Sequence, residues 1–343
     1  MAGAIYYFGF AKKVKGKGAQ RLDGKTVKRL LFPKPSCRLA ILPFSRFAIH
    51  VINKILAGEH RGIRMQQYIA DLHIHSVLSP CGDLDMSPSK ILKRAKEKGL
   101  NLIAITDHNM VENGIPLKYL AEGQSMDILF GMEITTQEEI HVLCLFDELE
   151  IALRWQDIVY EKLPDIKCDF EIFGHQLVVN EHEEIVRFEE KLLINATEIS
   201  IESVFDTVEK MGGLAIPAHL DKPVNSILSQ VGFIPPHLPL SAVEVTKNCN
   251  RNKLIMEYPE LSEIQCVGFS DAHYLEEIGT QTTLFNMDAP TIQELKLALK
   301  QYNGRSIEFF PTPLPLGEGP GVKVWTQLQT KAYHCSPGEA IEF

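Results

Sequence analysis

Long apolar runs are absent. Across 343 residues no stretch reaches the roughly 18 apolar residues that read as a membrane-spanning helix. The best candidate, Leu39–Leu56, is broken by Pro43, Arg46, His50 and Asn53, so no membrane partner is expected. Cysteine pairing is absent too. The seven cysteines are odd in number and none sits in a CxxC pair, which argues against a secreted disulfide framework and for a reducing, cytoplasmic setting. A secretory leader places positive charge before its apolar run, whereas here Ala2–Phe10 precedes Lys12, Lys13, Lys15 and Lys17. With 23% charged and 45% hydrophobic residues, the composition excludes collagen-like and disordered chains. There is no internal repeat.

Basic residues are scarce beyond position 64. Residues 1–64 hold 14 Lys and Arg against only Asp23 and Glu59, a balance of +12. From totals of 35 basic and 44 acidic residues, 65–343 keep 21 and 42, a balance of -21. So sharp a change of sign marks a boundary near Met65. Residues 1–64 are expected to form a basic, poorly ordered extension, with an amphipathic targeting peptide as the alternative. Pro311–Val322 is dense in Pro and Gly and lacks periodicity, so 311–343 are expected to be a disordered tail. An acidic body is a poor duplex-binding surface. A small phosphorylated substrate or a short single-stranded nucleic-acid end fits it better. Nothing in the sequence sets the oligomeric state.

From Met65 the pattern alternates strand and helix. Tyr68–His73 reads as a strand. Ser87-Pro88 opens a helix that runs to Lys98 and stops at Gly99. Leu102–Thr106 is a short continuous apolar run, as expected of a strand buried on both faces. A weaker helix covers 115–122, and strands follow at 128–134 and 141–146. A helix at 201–211 leads to strands at 214–217, 242–246 and 266–270. The last helix starts at Thr291 with a Thr291/Glu294 capping box and runs to about Gln301. Repeated β-α units indicate α/β architecture: a parallel sheet with helices outside, as a barrel or open. Residues 147–198 break the rhythm and read as an insertion.

Histidines and carboxylates recur at the ends of these strands. Asp71-Leu72-His73-Ile74-His75-Ser76 closes the first, and residues two apart on a strand face one side, so His73 and His75 can share an ion. Thr106-Asp107-His108 closes the second. Glu133 ends the third, and His141 begins the next. Pro217-Ala218-His219 follows another strand, and Ser270-Asp271-Ala272-His273 follows the last. C-terminal strand ends are where α/β folds build their sites. Each piece alone is weak, since an isolated HxH is more often structural. Their joint placement points to a metal site. Imidazole mixed with carboxylate suits Zn, Mn or Fe, and the ligand count exceeds what one ion needs, so two or three divalent ions are expected. Such a centre suits hydrolysis at phosphorus. His175, His182 and His237 lie outside these motifs and read as surface histidines. Arg94 and Lys96 read as a solvated helix face, while Lys222, Lys247 and Arg251 follow strand ends and are candidates to meet a substrate phosphate.

The ordered series Asp71–Ser76, Ile105–His108, Gly131–Glu133 with His141, Pro217–His219 and Ser270–His273 resembles the PHP (polymerase and histidinol phosphatase) family. The resemblance covers about 68–310 outside 147–198. It implies a distorted (β/α)7 barrel, a trinuclear metal centre and phosphoester hydrolysis. Carried over by position, His73, His75, Glu133 and Asp271 match the ligands of one ion. Glu133 bridges to a second ion held with His141 and His219, and His108 and His273 match ligands of a third. The family often has one further ligand after the HxH. Here Asp83 aligns best, with Cys81 and Asp85 as rivals. Asp271 or His273 is expected to pass a proton to the leaving group. Relatives act on histidinol phosphate, nucleoside bisphosphates or oligonucleotide ends. An amidohydrolase-like enzyme also opens with HxH, but commonly bridges its ions with a lysine where Glu133 stands here. A non-catalytic metal-binding accessory module is the remaining alternative.

Overall fold

The computed structural model describes residues 65–310. The expected basic extension at 1–64 and the expected tail at 311–343 lie outside the described residues. Among the described residues no helix is long and apolar enough to cross a membrane.

The architecture is a curled seven-stranded sheet with helices on its outside. Strand β1 (Gln66–Ile74) pairs in parallel with β2 (Leu102–Ile105), and β2 with β3 (Asp127–Thr135). The helices between them follow their sequence signals. Helix α1 (Pro88–Glu97) has proline in its first turn and buries Ile91, Leu92 and Ala95. Gly99, at φ 74°, takes the left-handed turn after it, where a β-carbon would be strained. Helix α2 (Gly114–Ala121) covers β2 and β3. All four residues of β2 are buried, as its apolar run requires.

The sheet is not all parallel, which corrects the simplest reading of the alternation. Strand β4 (His141–Phe146) pairs antiparallel with β3, register Glu133 opposite Leu143. The short link Thr136–Ile140 can close only a hairpin, because a parallel return needs a crossover of a dozen or more residues. Strand β7 (Leu214–Pro217) then adds antiparallel to β4. On the far edge, β10 (Thr282–Met287) lies antiparallel between β1 and β11 (Ser306–Phe310). Strands β8 (Ala242–Glu244) and β9 (Gln265–Val267) form a separate parallel pair. The structure is consistent with a PHP-type (β/α)7 barrel.

Residues 147–198 hold helices α3 (Leu149–Lys162) and α4 (Phe170–Phe173) and the hairpin of β5 (Leu177–Val179) and β6 (Ile185–Phe188). Helix α5 (Ile201–Lys210) precedes β7, with Ser200 capping its N-terminus. Two short helices, α6 (Ile227–Gln230) and α7 (Arg251–Glu257), flank β8. Helix α8 (Ile292–Leu299) carries half of its expected capping box. Thr291 accepts from the Glu294 N–H, but the Glu294 carboxylate takes the Asp288 N–H and Arg305 instead.

Helix α3 anchors the core through Trp155, which is fully buried among Phe130, Phe146, Val159 and Phe205. Trp155→Ala should cost about 3–5 kcal/mol. Denaturant unfolding of the two proteins checks it, and a shift below 1 kcal/mol would contradict the packing.

Candidate metal centre

The strand ends bring one carboxylate into a ring of imidazoles. Glu133, at the end of β3, is almost fully buried. Its Oε1 lies 3.3 Å from His73 Nε2, 3.0 Å from His141 Nδ1 and 3.2 Å from His219 Nε2. Its Oε2 lies 3.4 Å from His75 Nε2 and 3.3 Å from His108 Nδ1. Asp271 Oδ1 stands 3.3 Å from His73 Nε2 and 3.4 Å from His75 Nε2. The His273 ring stacks on His75 with centroids 4.4 Å apart. Thus His73, His75, His108, Glu133, His141, His219, Asp271 and His273 converge.

Local backbone makes this possible. A parallel bridge pairs His108 with Glu133, and another pairs Ile74 with Ala272. These extend the ladders just far enough to align the site residues. His219 and Asp271 both adopt positive φ, at 29° and 51°. Non-glycine residues hold such conformations only when their surroundings enforce them, at a cost of about 1–3 kcal/mol each.

A surrounding layer fixes the rings. His73 Nδ1–H donates to Glu244, 3.0 Å away, and Glu244 also accepts the His219 N–H at 2.9 Å. His75 Nδ1–H meets Ser79 Oγ at 2.9 Å, while Ser79 donates to Asp107 at 2.7 Å. Asp107 takes the Ser76 N–H and hydroxyl as well. His273 Nδ1–H donates to the Asp271 carbonyl at 2.8 Å. The Asn225 amide lies 3.0 Å from His141 Nε2. Glu244, Ser79 and the Asp271 carbonyl each accept from one ring nitrogen, which leaves the other nitrogen of His73, His75 and His273 to offer a lone pair.

Those inward atoms face one another across the cluster. His73 Nε2, His75 Nε2, His108 Nδ1, Glu133 Oε1 and His141 Nδ1 are buried without a hydrogen bond, a costly arrangement for atoms of this kind. Their mutual spacing suits metal: the ligand atoms of His73, His75 and Glu133 lie within 4.8 Å of one another, as do those of His108, Glu133 and His141. The donor set therefore fits divalent metal.

Charge in the cluster is strongly coupled. Burial opposes charge on His73, yet Glu244, Asp271 and Glu133 outweigh it and hold the imidazole well above its ordinary pKa. His75 is likewise opposed by burial and pushed up to about 9 by Asp271 and Glu133. Burial also opposes ionisation of Glu133 and Asp271, but the imidazoles facing them keep both well below the usual carboxylate range. His108 falls well below its ordinary value, and His273 to about 4, through burial and then the neighbouring His75. Since a ligand imidazole must be neutral, loading near pH 7 should release protons from His73 and His75. Metal affinity should rise as pH climbs toward 9. Calorimetry in buffers of different ionisation enthalpy reads the protons directly, and a buffer-independent heat would contradict the coupling.

Asp83 does not join the cluster. Its Oδ1 accepts the Asp85 N–H at 2.8 Å within its own turn, and Asp85 pairs with Lys90 on the exposed face of α1. Cys81 does join, in a group with His75, His108 and His273 whose ligand atoms lie within 4.8 Å of one another. Gly82 is the reason. A β-carbon there would stand 2.3 Å from the Ser76 carbonyl oxygen, so only glycine lets the loop fold back this tightly. Burial pushes the Cys81 thiol up, with Glu133 and Asp107 adding to it. Lys222 pairs with Asp271 Oδ2. His237 is exposed and meets Glu202, His182 is exposed beside Glu181, and His175 stacks on Phe170 and meets Phe188 edge-on.

Sequence reasoning missed Glu244, Asp107 and Asn225. Glu244 ends β8, so the same search of strand ends for carboxylates would have found it. Asp107 stood inside the Thr106–His108 motif, unassigned.

Beside the cluster opens a cavity of about 670 Å³, lined by His219, Lys222, Lys247, Asp271, His273 and Tyr274 among others. That is the size of a pocket for a small molecule or a nucleotide.

Comparison with known proteins agrees with this geometry. Residues 71–215 match the PHP domain family model, and residues 250–302 match the PHP-associated family model. The chain thus carries a PHP domain at residues 71–215. An uncharacterized protein of Methanocaldococcus jannaschii is 36% identical over 105 residues, 28% of this chain and 61% of that protein. The uncharacterized YqxK protein of Bacillus subtilis is 25% identical over 277 residues, 71% of this chain and 64% of that protein. The chain thus spans less than two thirds of either relative. A 5'-3' exoribonuclease of Haemophilus influenzae is 33% identical over 82 residues, 23% of this chain and 29% of that enzyme. Among solved structures, a lesion-specific endonuclease from Pyrococcus furiosus superposes with a TM-score of 0.55 at 20% identity, covering 71% of this chain and 58% of that one. A complex of endonuclease Q with a 27-mer duplex carrying an abasic lesion gives 0.54 at 19% identity, covering 70% of this chain and 58% of that one. At these identities the likeness is one of fold.

Proposed function

We propose that the chain is a metal-dependent hydrolase of phosphoester bonds, working with two or three divalent ions. One observation carries the reading: buried imidazole nitrogens converge on the buried Glu133 carboxylate, 3.0–3.4 Å from its oxygens, beside an open cavity. Divalent ions held by His73, His75, Glu133, His141, His219 and Asp271 would supply an activated water and positive charge for the phosphoryl oxygens. The chain's own residues supply the rest. Glu133 holds the imidazoles at a common distance, while Glu244, Ser79 and Asn225 fix their orientation. Asp271 sits between cluster and cavity, with Oδ1 toward His73 and His75 and Oδ2 on Lys222. The ammonium of Lys222 is held charged by that carboxylate against burial and can donate to a phosphoryl oxygen. His273 spends its Nδ1–H on the Asp271 carbonyl; Asp271, ionised in the resting cluster, would accept a proton from the attacking water and pass it to the leaving oxygen.

The substrate is a phosphorylated small molecule or a nucleic-acid phosphoester. The exoribonuclease and endonuclease Q, whose names state an activity, act on nucleic acid, which supports the second. The abasic duplex bound by endonuclease Q runs against the expectation, drawn from the acidic surface, that duplexes bind poorly. The deciding experiment measures product release by the full chain loaded with manganese. Its panel holds histidinol phosphate, nucleoside 3',5'-bisphosphates, single-stranded oligonucleotides, an abasic duplex, and amide and lactone controls. Turnover of a phosphoester that is lost with chelator supports the proposal. Turnover of amides or lactones alone, or silence with ions bound, overturns it.

A further inference from the structure

We propose that Cys81 supplies a thiolate ligand to a third ion, and that this makes its corner of the centre a zinc site. The inference rests on the metal-dependent reading above and adds to it the identity of one ligand and its ion. Four residues meet at the corner: His75, Cys81, His108 and His273. His75 cannot serve two ions. Its Nδ1 is taken by Ser79, and its Nε2 faces Glu133 and Asp271 with His73. That leaves His108, whose buried Nδ1 has no hydrogen-bond partner, and His273, whose Nδ1 is engaged elsewhere and whose Nε2 is free to bind. Glu133 Oε2, 3.3 Å from His108 Nδ1, offers an oxygen. Two imidazoles and a shared carboxylate are one protein ligand short of a tetrahedron.

The backbone delivers Cys81 to that gap. Ser79 N–H donates to the Ser76 carbonyl at 3.1 Å, and Gly82 N–H donates to Ser79 at 2.9 Å. Asp83 N–H then donates to the His273 carbonyl at 2.9 Å, tying the loop to the residue that shares the site. The carboxylates that could have competed, Asp83 and Asp85, are held in the turn and by Lys90. Two imidazoles, a thiolate and a carboxylate form a set that favours zinc, whereas manganese prefers oxygen-rich sites.

Cobalt(II) tests this without reference to turnover. Titrated into the full chain after chelation, it should produce a thiolate-to-cobalt charge-transfer band in the near ultraviolet. Cys81→Ser should lose the band and bind one ion fewer by elemental analysis, while the visible absorption of the remaining cobalt persists. Cys81→Asp should restore the ion count without the band and move the corner's preference from zinc toward manganese, so it also serves if the serine variant folds poorly. A band that survives in Cys81→Ser, or a fully loaded native chain without one, overturns the proposal. Failure of the native chain to bind cobalt at all sinks the metal centre itself.

Discussion

Glu133→Gln should strip the chain of at least two ions and lower phosphoester turnover by roughly 10²–10³-fold or more. The amide keeps the shape of the carboxylate but removes its charge and turns an N–H₂ donor toward imidazole nitrogens that need a cation. Among the described residues no other side chain faces so many of the ring nitrogens, since those of His73, His75, His108, His141 and His219 all lie 3.0–3.4 Å from its oxygens. The change also acts on the metal-free protein. A carboxyl whose folded pKa is depressed, as that of Glu133 is, contributes stability above its unfolded pKa and loses it as pH falls through the folded value. The chelated variant should therefore unfold more easily than the chelated native chain at pH 7, and the gap should close in acid. Elemental analysis with thermal unfolding under chelator reads both effects. A full ion complement in Glu133→Gln would remove Glu133 from the centre.

Much of this site was legible in the sequence because its chemistry sits where strands end. His73 and His75 are two apart on one strand face, and the run Leu102–Thr106 announced both a buried strand and the turn holding His108. Positions with that kind of local signal were found. Strand direction carries no such signal. The pattern at 128–134 and 141–146 is equally apolar for either pairing, and only the length of the Thr136–Ile140 link decides it. Strands β10 and β11 escaped because Thr282–Met287 mixes Thr and Asn into its alternation, and its partner β1 lies more than 200 residues away. The choice among Cys81, Asp83 and Asp85 turned on a contact invisible in one dimension: the Ser76 carbonyl 2.3 Å from where a Gly82 β-carbon would stand. Counting back from Met86-Ser87-Pro88 favoured Asp83, while the tight loop favours Cys81. Glu244 was missed for a different reason. It steers His73 and His219, and as the carboxylate that closes β8 it carried the same strand-end signal as Glu133 but sat in no ligand motif.

Asp271→Asn should lower turnover by about 10²–10⁴-fold on a substrate with an alkoxide leaving group, the range of a lost general acid or base. The fold should survive, because asparagine keeps the shape of the side chain and tolerates the positive φ of 51° at this position. Asp271 has two separable parts in the proposal. Oδ1 faces the ligand imidazoles, and Oδ2 faces Lys222 and the cavity. A p-nitrophenyl ester separates them, since p-nitrophenolate departs without a proton. If Asp271 delivers the proton, the deficit of Asp271→Asn should shrink by an order of magnitude or more on that ester. If the carboxylate only holds an ion, both substrates should suffer alike and the ion count should fall with them. Lys222→Ala provides the contrast. Without the ammonium, Oδ2 gains freedom and the substrate loses a cation, so KM should rise for both esters while the ratio of their kcat values stays near the native one. A deficit in Asp271→Asn that ignores the leaving group would reassign the proton to solvent and leave Asp271 as a ligand alone.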